Sequence, residues 1–243
     1  MSPVVSDRMA VVIALLDGDR DRGANLPQTV PAKAAIALGV DGICAGLGTG
    51  PSGLVLSWGQ EAVGVAMEDL QFTLGQGPGL DAAAGAPVLV PDLDAASARW
   101  PVFVPAAAEL GVRAVFALPL RIGAISVGAL LAHRAMAGPL VDGALADAFA
   151  LADAVTLLLL HRESAGTGRA GSADDGPRPG WARPATYRAE VHQATGMISV
   201  QLGVSLAEAL VRLRAYAYAD GRLIAEVATD VVGRRLRFDD HDR

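Results

Sequence analysis

Cysteine and lysine are almost missing from this chain: its 243 residues include one of each, Cys44 and Lys33. A single cysteine excludes an intrachain disulfide and any cysteine-based zinc site built from this chain alone, and it fits an expectation of a reducing, cytoplasmic setting. An ATP-type phosphate loop needs Gly-Lys-Ser/Thr, and Lys33 follows Ala32, so that loop is excluded. The four histidines, His133, His161, His192 and His241, stand in no metal-like spacing, and no pair of carboxylates stands out for acid–base work. Cys44 falls in an expected strand, where a buried, inert thiol is set against a nucleophile. The expectation is a protein that is not an enzyme. Strictly apolar runs of membrane-spanning length are also lacking. The apolar segment 9–16 follows Arg8 but leads into Asp17-Gly18-Asp19-Arg20, not a small-residue cleavage site, so it reads as a helix of the mature protein.

What is present is a globular composition, 52% apolar and 19% charged, in a length that suits two domains. The net charge of −6 argues against nucleic-acid binding over the whole surface. Its distribution is uneven, however. Between positions 183 and 237 lie eight arginines and five carboxylates, so the C-terminal part is the basic part of an acidic protein.

Along the chain, helices are expected over 7–16 and 28–38, joined by the polar segment 17–25. Strands over 40–47 and 54–58 flank the turn-rich Gly48-Thr49-Gly50-Pro51-Ser52-Gly53 and form a hairpin. The glycines at 46, 48 and 50 resemble a dinucleotide loop only superficially, because a β-rich run follows where a helix should open. A helix over 61–70 precedes the glycine-rich loop 74–81, which suits close approach of a ligand or another backbone. A short strand at 88–90 follows, then a helix opened by Pro101 and ended by Gly111. The runs 113–120 and 125–132 form a second antiparallel hairpin, and Pro119 inside the first marks an edge or a bulge. A long helix over 140–161 is apolar on more than one face. Its second face packs either against the same helix of another subunit, giving a homodimer, or within one monomer. Residues 163–182 lack apolar periodicity and read as a linker. The boundaries are thus a sheet domain at 1–162, a helical module at 183–236 and a charged tail at 237–243.

The helical module has three apolar stripes at helical spacing. Tyr187, Val191, Ala194, Ile198 and Leu202 form the first, Leu206, Leu210, Leu213 and Ala217 the second, and Ile224, Val227, Ala228 and Val231 the third. Gly203 stops the first helix, and Ser205 with Glu208 makes a capping box for the second. Arg188, Gln193, Thr195, Arg212, Arg214 and Arg222 are left either as a solvated face or as a binding face. Tyr216 and Tyr218, interleaved with arginines, either stack unpaired bases or pack between helices.

This module resembles the ANTAR family of bacterial RNA-binding antitermination modules. The resemblance rests on Gln193-Ala194-Thr195-Gly196-Met197, on Glu208-Ala209, Leu213-Arg214 and Ala217, and on Leu223, Val227-Ala228 and Val231-Val232, in one ungapped register. The family often carries a basic residue where Thr195 stands. The upstream part is similar to GAF sensor domains, as found before ANTAR modules in actinobacteria. Leu38-Gly39-Val40-Asp41-Gly42, Gly75-Gln76-Gly77-Pro78, Trp100-Pro101-Val102-Phe103 and the run 111–120 carry that similarity. Relatives commonly read Gly-Glu-Gly-Pro-Cys at the second motif. Here Gln76 and Gly79 replace the acid and the cysteine, which removes any redox or chromophore role for that cysteine.

The resemblance implies an α+β chain: a GAF-like antiparallel sheet with flanking helices, then an all-α three-helix ANTAR module. It implies a signal-responsive transcription regulator that acts as a dimer on RNA hairpins of nascent transcript leaders. RNA contacts fall on Arg188, Gln193, Thr195, Gly196, Arg212, Arg214 and Arg222. A sensor pocket falls at Gly75, Gln76, Gly77, Pro78 and Phe116, with a small-molecule ligand of unidentified class, no metal and no membrane. The alternative is a sensor whose helical tail dimerises or binds protein without RNA. A receiver domain upstream is disfavoured, since that fold needs a lysine late in the domain and none follows Lys33.

Overall fold

The computed structural model describes residues 5–22, 29–47, 56–59, 61–167, 181–182 and 186–239. The expected turn at 48–53 lies outside them. In chain order the elements are α1 (Asp7–Arg22), α2 (Thr29–Leu38), β1 (Gly42–Leu47), β2 (Leu56–Trp58), α3 (Ala62–Leu74), α4 (Pro78–Ala83), β3 (Val88–Val90) and α5 (Phe103–Glu109). There follow β4 (Ala114–Ile122), β5 (Ile125–Arg134), α6 (Ala144–Thr167), β6 (Trp181–Ala182), α7 (Thr186–Leu202), α8 (Leu206–Ala219) and α9 (Ile224–Val232).

The strands form one antiparallel sheet in the order β3-β4-β5-β1-β2-β6. The strand β4, between β3 and β5, is buried on both faces over Ala114 to Leu120, as its unbroken apolar run requires. Ala114, Phe116, Leu118 and Leu120 point into a core closed by α1, α2 and α6, while Val115 and Ala117 point into a second core closed by α3, α4 and α5. Pro119 lies beyond the end of β3, which pairs only with Val115 to Ala117, and just before a register shift at Leu120/Arg121. Both the edge and the bulge expected of that proline are there.

Ser6 fixes α1 to α6. Its hydroxyl and amide bond the buried Asp147 at 2.5 and 2.8 Å, and the same hydroxyl accepts from the Met9 amide at 3.2 Å. The helix α1 runs on to Arg22 through residues expected to be a connection. Mixed charges do not break a helix, and one internal glycine costs only about 1 kcal/mol.

On the other face, Gly75 ends α3 in the left-handed conformation, φ 65°. The chain then re-enters a helix at Pro78, so Gly79, Leu80 and Asp81 are helical and not loop. Proline suits a first helical turn, and the buried Gln71 side chain accepts the otherwise free Gly79 amide at 2.6 Å. Gly77, at φ 141°, has no room for a side chain, since an added Cβ would lie 2.6 Å from Gln71 Cγ. The helix α5 opens two residues after Pro101.

Further boundaries differ around the long helix, which begins at Ala144 and not at 140. The helix α6 continues to Thr167, past the expected linker start at 163, because no breaker occurs before Gly166. Trp181 and Ala182, expected as linker, pair with Trp58 and Ser57 as the edge strand β6. The 18-residue stretch Ala144–His161 of α6 is long and apolar enough by length and composition to cross a membrane, and 56% of it is buried inside the protein. Buried Ala148, Leu151, Ala152, Val155, Leu158 and Leu159 face the sheet, while Leu145, Phe149 and Leu157 are exposed.

Candidate nucleic-acid interface

The three C-terminal helices form around the expected stripes, except that Leu206, in the first turn of α8, is 59% exposed and Ala209 takes part in the core instead. Val191, Ala194 and Ile198 of α7, Ala209, Leu210, Leu213 and Ala217 of α8, and Ile224, Val227, Ala228 and Val231 of α9 make a shared core. Ser205 Oγ accepts the Glu208 amide at 3.2 Å and caps α8, whereas the Glu208 carboxylate turns to Arg212 at 3.3 Å. Two aromatic rings from outside these helices complete the core: Phe72 from α3, and Phe238 from the segment after α9.

The expected charged tail from 237 is corrected here, because Phe238 belongs to the core of the module. After α9, the chain passes through Arg234 in the left-handed region, φ 58°, and folds back along the module. Phe238 is buried, its amide donates to Gln201 Oε1 at 3.0 Å, and its ring lies 5.4 Å from that of Tyr216. Tyr216 is therefore a packing residue, and Tyr218 is 63% exposed. Arg234 and Arg237 are exposed, with no ion pair among the described residues. A run of Arg-Arg-Leu-Arg-Phe at a helix end was the available signal.

The expected RNA contacts occupy different environments. Gln193 is exposed on α7, and Gly196 is half-buried with open space where a side chain would stand. Thr195 is only 6% exposed, and its hydroxyl donates to the Val191 carbonyl at 2.7 Å. Arg188 belongs to α7, and its side chain lies outside the described residues. Arg212 is half-buried and paired with Glu208 four residues earlier. Arg222 meets three carboxylates, Asp230 at 2.7 Å, Asp220 at 3.6 Å and Glu226 at 3.7 Å. Its hydrogen bond to Asp230 raises its pKa, while bonds from Arg222 and Arg235 hold the Asp230 carboxyl below the usual range. Arg214 reaches the sheet domain: its Nε donates to the Phe72 carbonyl at 2.9 Å, and its guanidinium carbon lies 5.5 Å from the Phe72 ring centre. Burial lowers the Arg214 pKa.

In the sheet domain, Gly75, Gln76, Gly77 and Pro78 form one turn around Gln71, and Gln76 Oε1 is buried without a partner among the described residues. Phe116 is not part of this group. It faces the α1/α2/α6 core on the opposite side of the sheet. Close to the start of α3, Glu61 caps the helix by accepting the Val63 and Gly64 amides at 2.8 and 2.9 Å, and it also meets the buried His133 Nε2 at 2.9 Å. Burial pushes the Glu61 pKa up, but these hydrogen bonds outweigh it and the net shift is downward. Cys44 is fully buried, and burial, followed by the nearby Glu68 and Glu61 carboxylates, pushes its thiol well up, so it remains an un-ionised core side chain. Among the described residues no group of three or more His, Cys, Asp or Glu is placed to hold a metal ion.

No curated protein matches the chain. Among solved structures, the chain is similar to the GAF domain of a phosphoenolpyruvate-protein phosphotransferase from Coxiella burnetii, at 17% identity and a TM-score of 0.46, over 67% of this chain and 99% of that one. It is similar to the phycoerythrobilin-bound GAF domain of a cyanobacterial phytochrome at 12% identity and a TM-score of 0.45, over 66% of this chain and all of that one. A third is the free methionine-R-sulfoxide reductase from Neisseria meningitidis in complex with its substrate, at 19% identity and a TM-score of 0.40, over 68% and 96% of the two chains. The three-helix module is assigned by sequence: residues 184–232 match the family model of the ANTAR domain.

Proposed function

We propose that this protein is a signal-responsive transcription regulator that binds RNA hairpins in nascent transcripts and promotes antitermination. The carrying observation is the ANTAR match over 184–232, which coincides with the three helices α7, α8 and α9 that share one core. The proposed RNA face centres on α7. Gln193 offers an amide to splayed loop bases, Gly196 leaves the helix surface open to them, and Arg188 and Arg212 supply salt-sensitive attraction to phosphate. Thr195 supports this face from beneath, and Arg222 borders it once phosphate displaces a carboxylate.

The sheet domain acts as the sensor, with a small molecule of unidentified class at the turn 75–78, where the orphaned Gln76 oxygen waits for a donor. A homodimer forms in the cytoplasm through α6 and α1, whose exposed Leu145, Phe149, Leu157, Val11 and Leu15 are otherwise uncovered. A gel shift with a two-hairpin RNA leader at low salt tests the reading. The expected result is a salt-sensitive shift that Gln193→Ala weakens. Absence of any shift overturns it in favour of a protein-binding tail, for which the exposed Leu206, Val211 and Tyr218 on α8 are the supporting observation.

A further inference from the structure

Arg214 belongs to the ANTAR match, yet its guanidinium is spent on a residue 142 positions away. Phe72 lies in the last turn of α3, where carbonyls have no intrahelical donor and carry the negative end of the helix dipole. Arg214 Nε satisfies that carbonyl at 2.9 Å. The Phe72 ring lies beneath the guanidinium and is buried in the core of the helical module, not in that of its own domain. Gly75 completes the seat, since a Cβ there would stand 3.0 Å from Arg214 Nη1. Carbonyl, ring and bare backbone thus form a socket for one arginine.

Resting on the proposed RNA reading, we infer that the C-terminal end of α3 is a docking surface for α8, holding Arg214 in a contact that RNA phosphate must displace. The docked form is therefore the weaker RNA binder. A phosphate pairs with guanidinium through charged, bidentate hydrogen bonds, which are stronger than a bond to a neutral carbonyl, so RNA is able to win the exchange. The socket is also wired to the sensor turn. Gln71, the residue before Phe72, holds the Gly79 amide, and its side chain fills the space against Gly77. A ligand that moves this turn moves Gln71, and with it the adjoining Phe72.

The test uses the full chain with Phe72→Ala, which removes the ring and leaves the sheet-domain core intact, since Phe72 is not among its members. Two measurements are made: filter binding to a hairpin RNA, and the rate at which phenylglyoxal modifies Arg214, mapped by mass spectrometry without RNA. The expected results are faster Arg214 modification and a roughly tenfold tighter hairpin affinity, the gain set by the fraction of molecules released from the docked form. Adding Arg214→Ala to this variant should abolish the gain. If Phe72→Ala proves misfolded, Phe72→Leu, which keeps apolar bulk and loses the aromatic face, should show the same two changes to a smaller extent. Faster modification with unchanged hairpin affinity overturns the competition and leaves RNA binding standing. Unchanged modification overturns the docking itself. Failure of wild type and variants alike to bind any hairpin overturns the RNA reading, and the competition with it.

Discussion

Replacing Glu61 by alanine removes three hydrogen bonds at one point where the sheet meets α3. Two are cap bonds to the Val63 and Gly64 amides, and the third is to His133, a ring only 4% exposed. Loss of an N-cap costs about 0.5–2 kcal/mol. Leaving a buried ring nitrogen without its acceptor adds about 1–3 kcal/mol. The expected total is about 1.5–5 kcal/mol, and urea unfolding followed by tryptophan fluorescence should show it as a midpoint lowered by about 1–2 M. The effect depends on pH in a defined direction. The folded Glu61 carboxyl titrates below its ordinary value of 4.5, so its stabilisation is fully present above pH 4.5 and is lost as pH falls through the folded pKa. Wild type and Glu61→Ala should therefore converge in acid. A difference below about 0.5 kcal/mol at neutral pH, or one that persists undiminished at the lowest pH where both proteins fold, would refute the reasoning. Gly42 offers an independent check, because a Cβ there overlaps His133 Nε2 and lies 2.7 Å from Glu61 Oε2, so Gly42→Ala should destabilise the same junction.

Three further outcomes are expected. Phe238→Ala should destabilise the helical module by about 3 kcal/mol, lowering its denaturation midpoint by circular dichroism and leaving the sheet-domain transition in place. Thr195→Val should change stability by less than about 1 kcal/mol, since the lost hydroxyl bonds only a carbonyl of its own helix, and hairpin affinity in filter binding should stay within about twofold. Leu157→Arg, on the exposed face of α6, should convert a dimer to a monomer in sedimentation velocity without changing the far-ultraviolet spectrum.

The sequence carried the helical module almost completely, because its punctuation is local. Gly203 and Ser205 separate α7 from α8, and the burial of Thr195 could be read from its place between Ala194 and Ile198 in the stripe that begins at Val191. Partner choice among the arginines was legible only within a helix. Glu208 and Arg212 are four residues apart, as are Arg222 and Glu226, but the closer Arg222 partner, Asp230, is supplied by the packing of α9 against the turn before it. The Arg214 acceptor could not be read at all, since a backbone carbonyl leaves no mark in side-chain identity. In the sheet domain β1 to β5 followed from their apolar runs and the turns between them, whereas the two-residue β6 did not. Which side of β4 Phe116 takes did not, because an unbroken apolar run carries no inside and outside.

The two aromatic rings that complete the module's core lie on either side of the matched segment, one 112 positions before it and the other 6 positions after it. The segment that carries the family pattern and the unit that thermodynamics folds are therefore different lengths of chain. A fragment cut at 184 and 232 would keep every residue of the family pattern and still expose the apolar surfaces that Phe72 and Phe238 cover. Such a fragment is a loosened, undocked module, and hydrogen exchange of α8 in fragment and full chain would measure the difference.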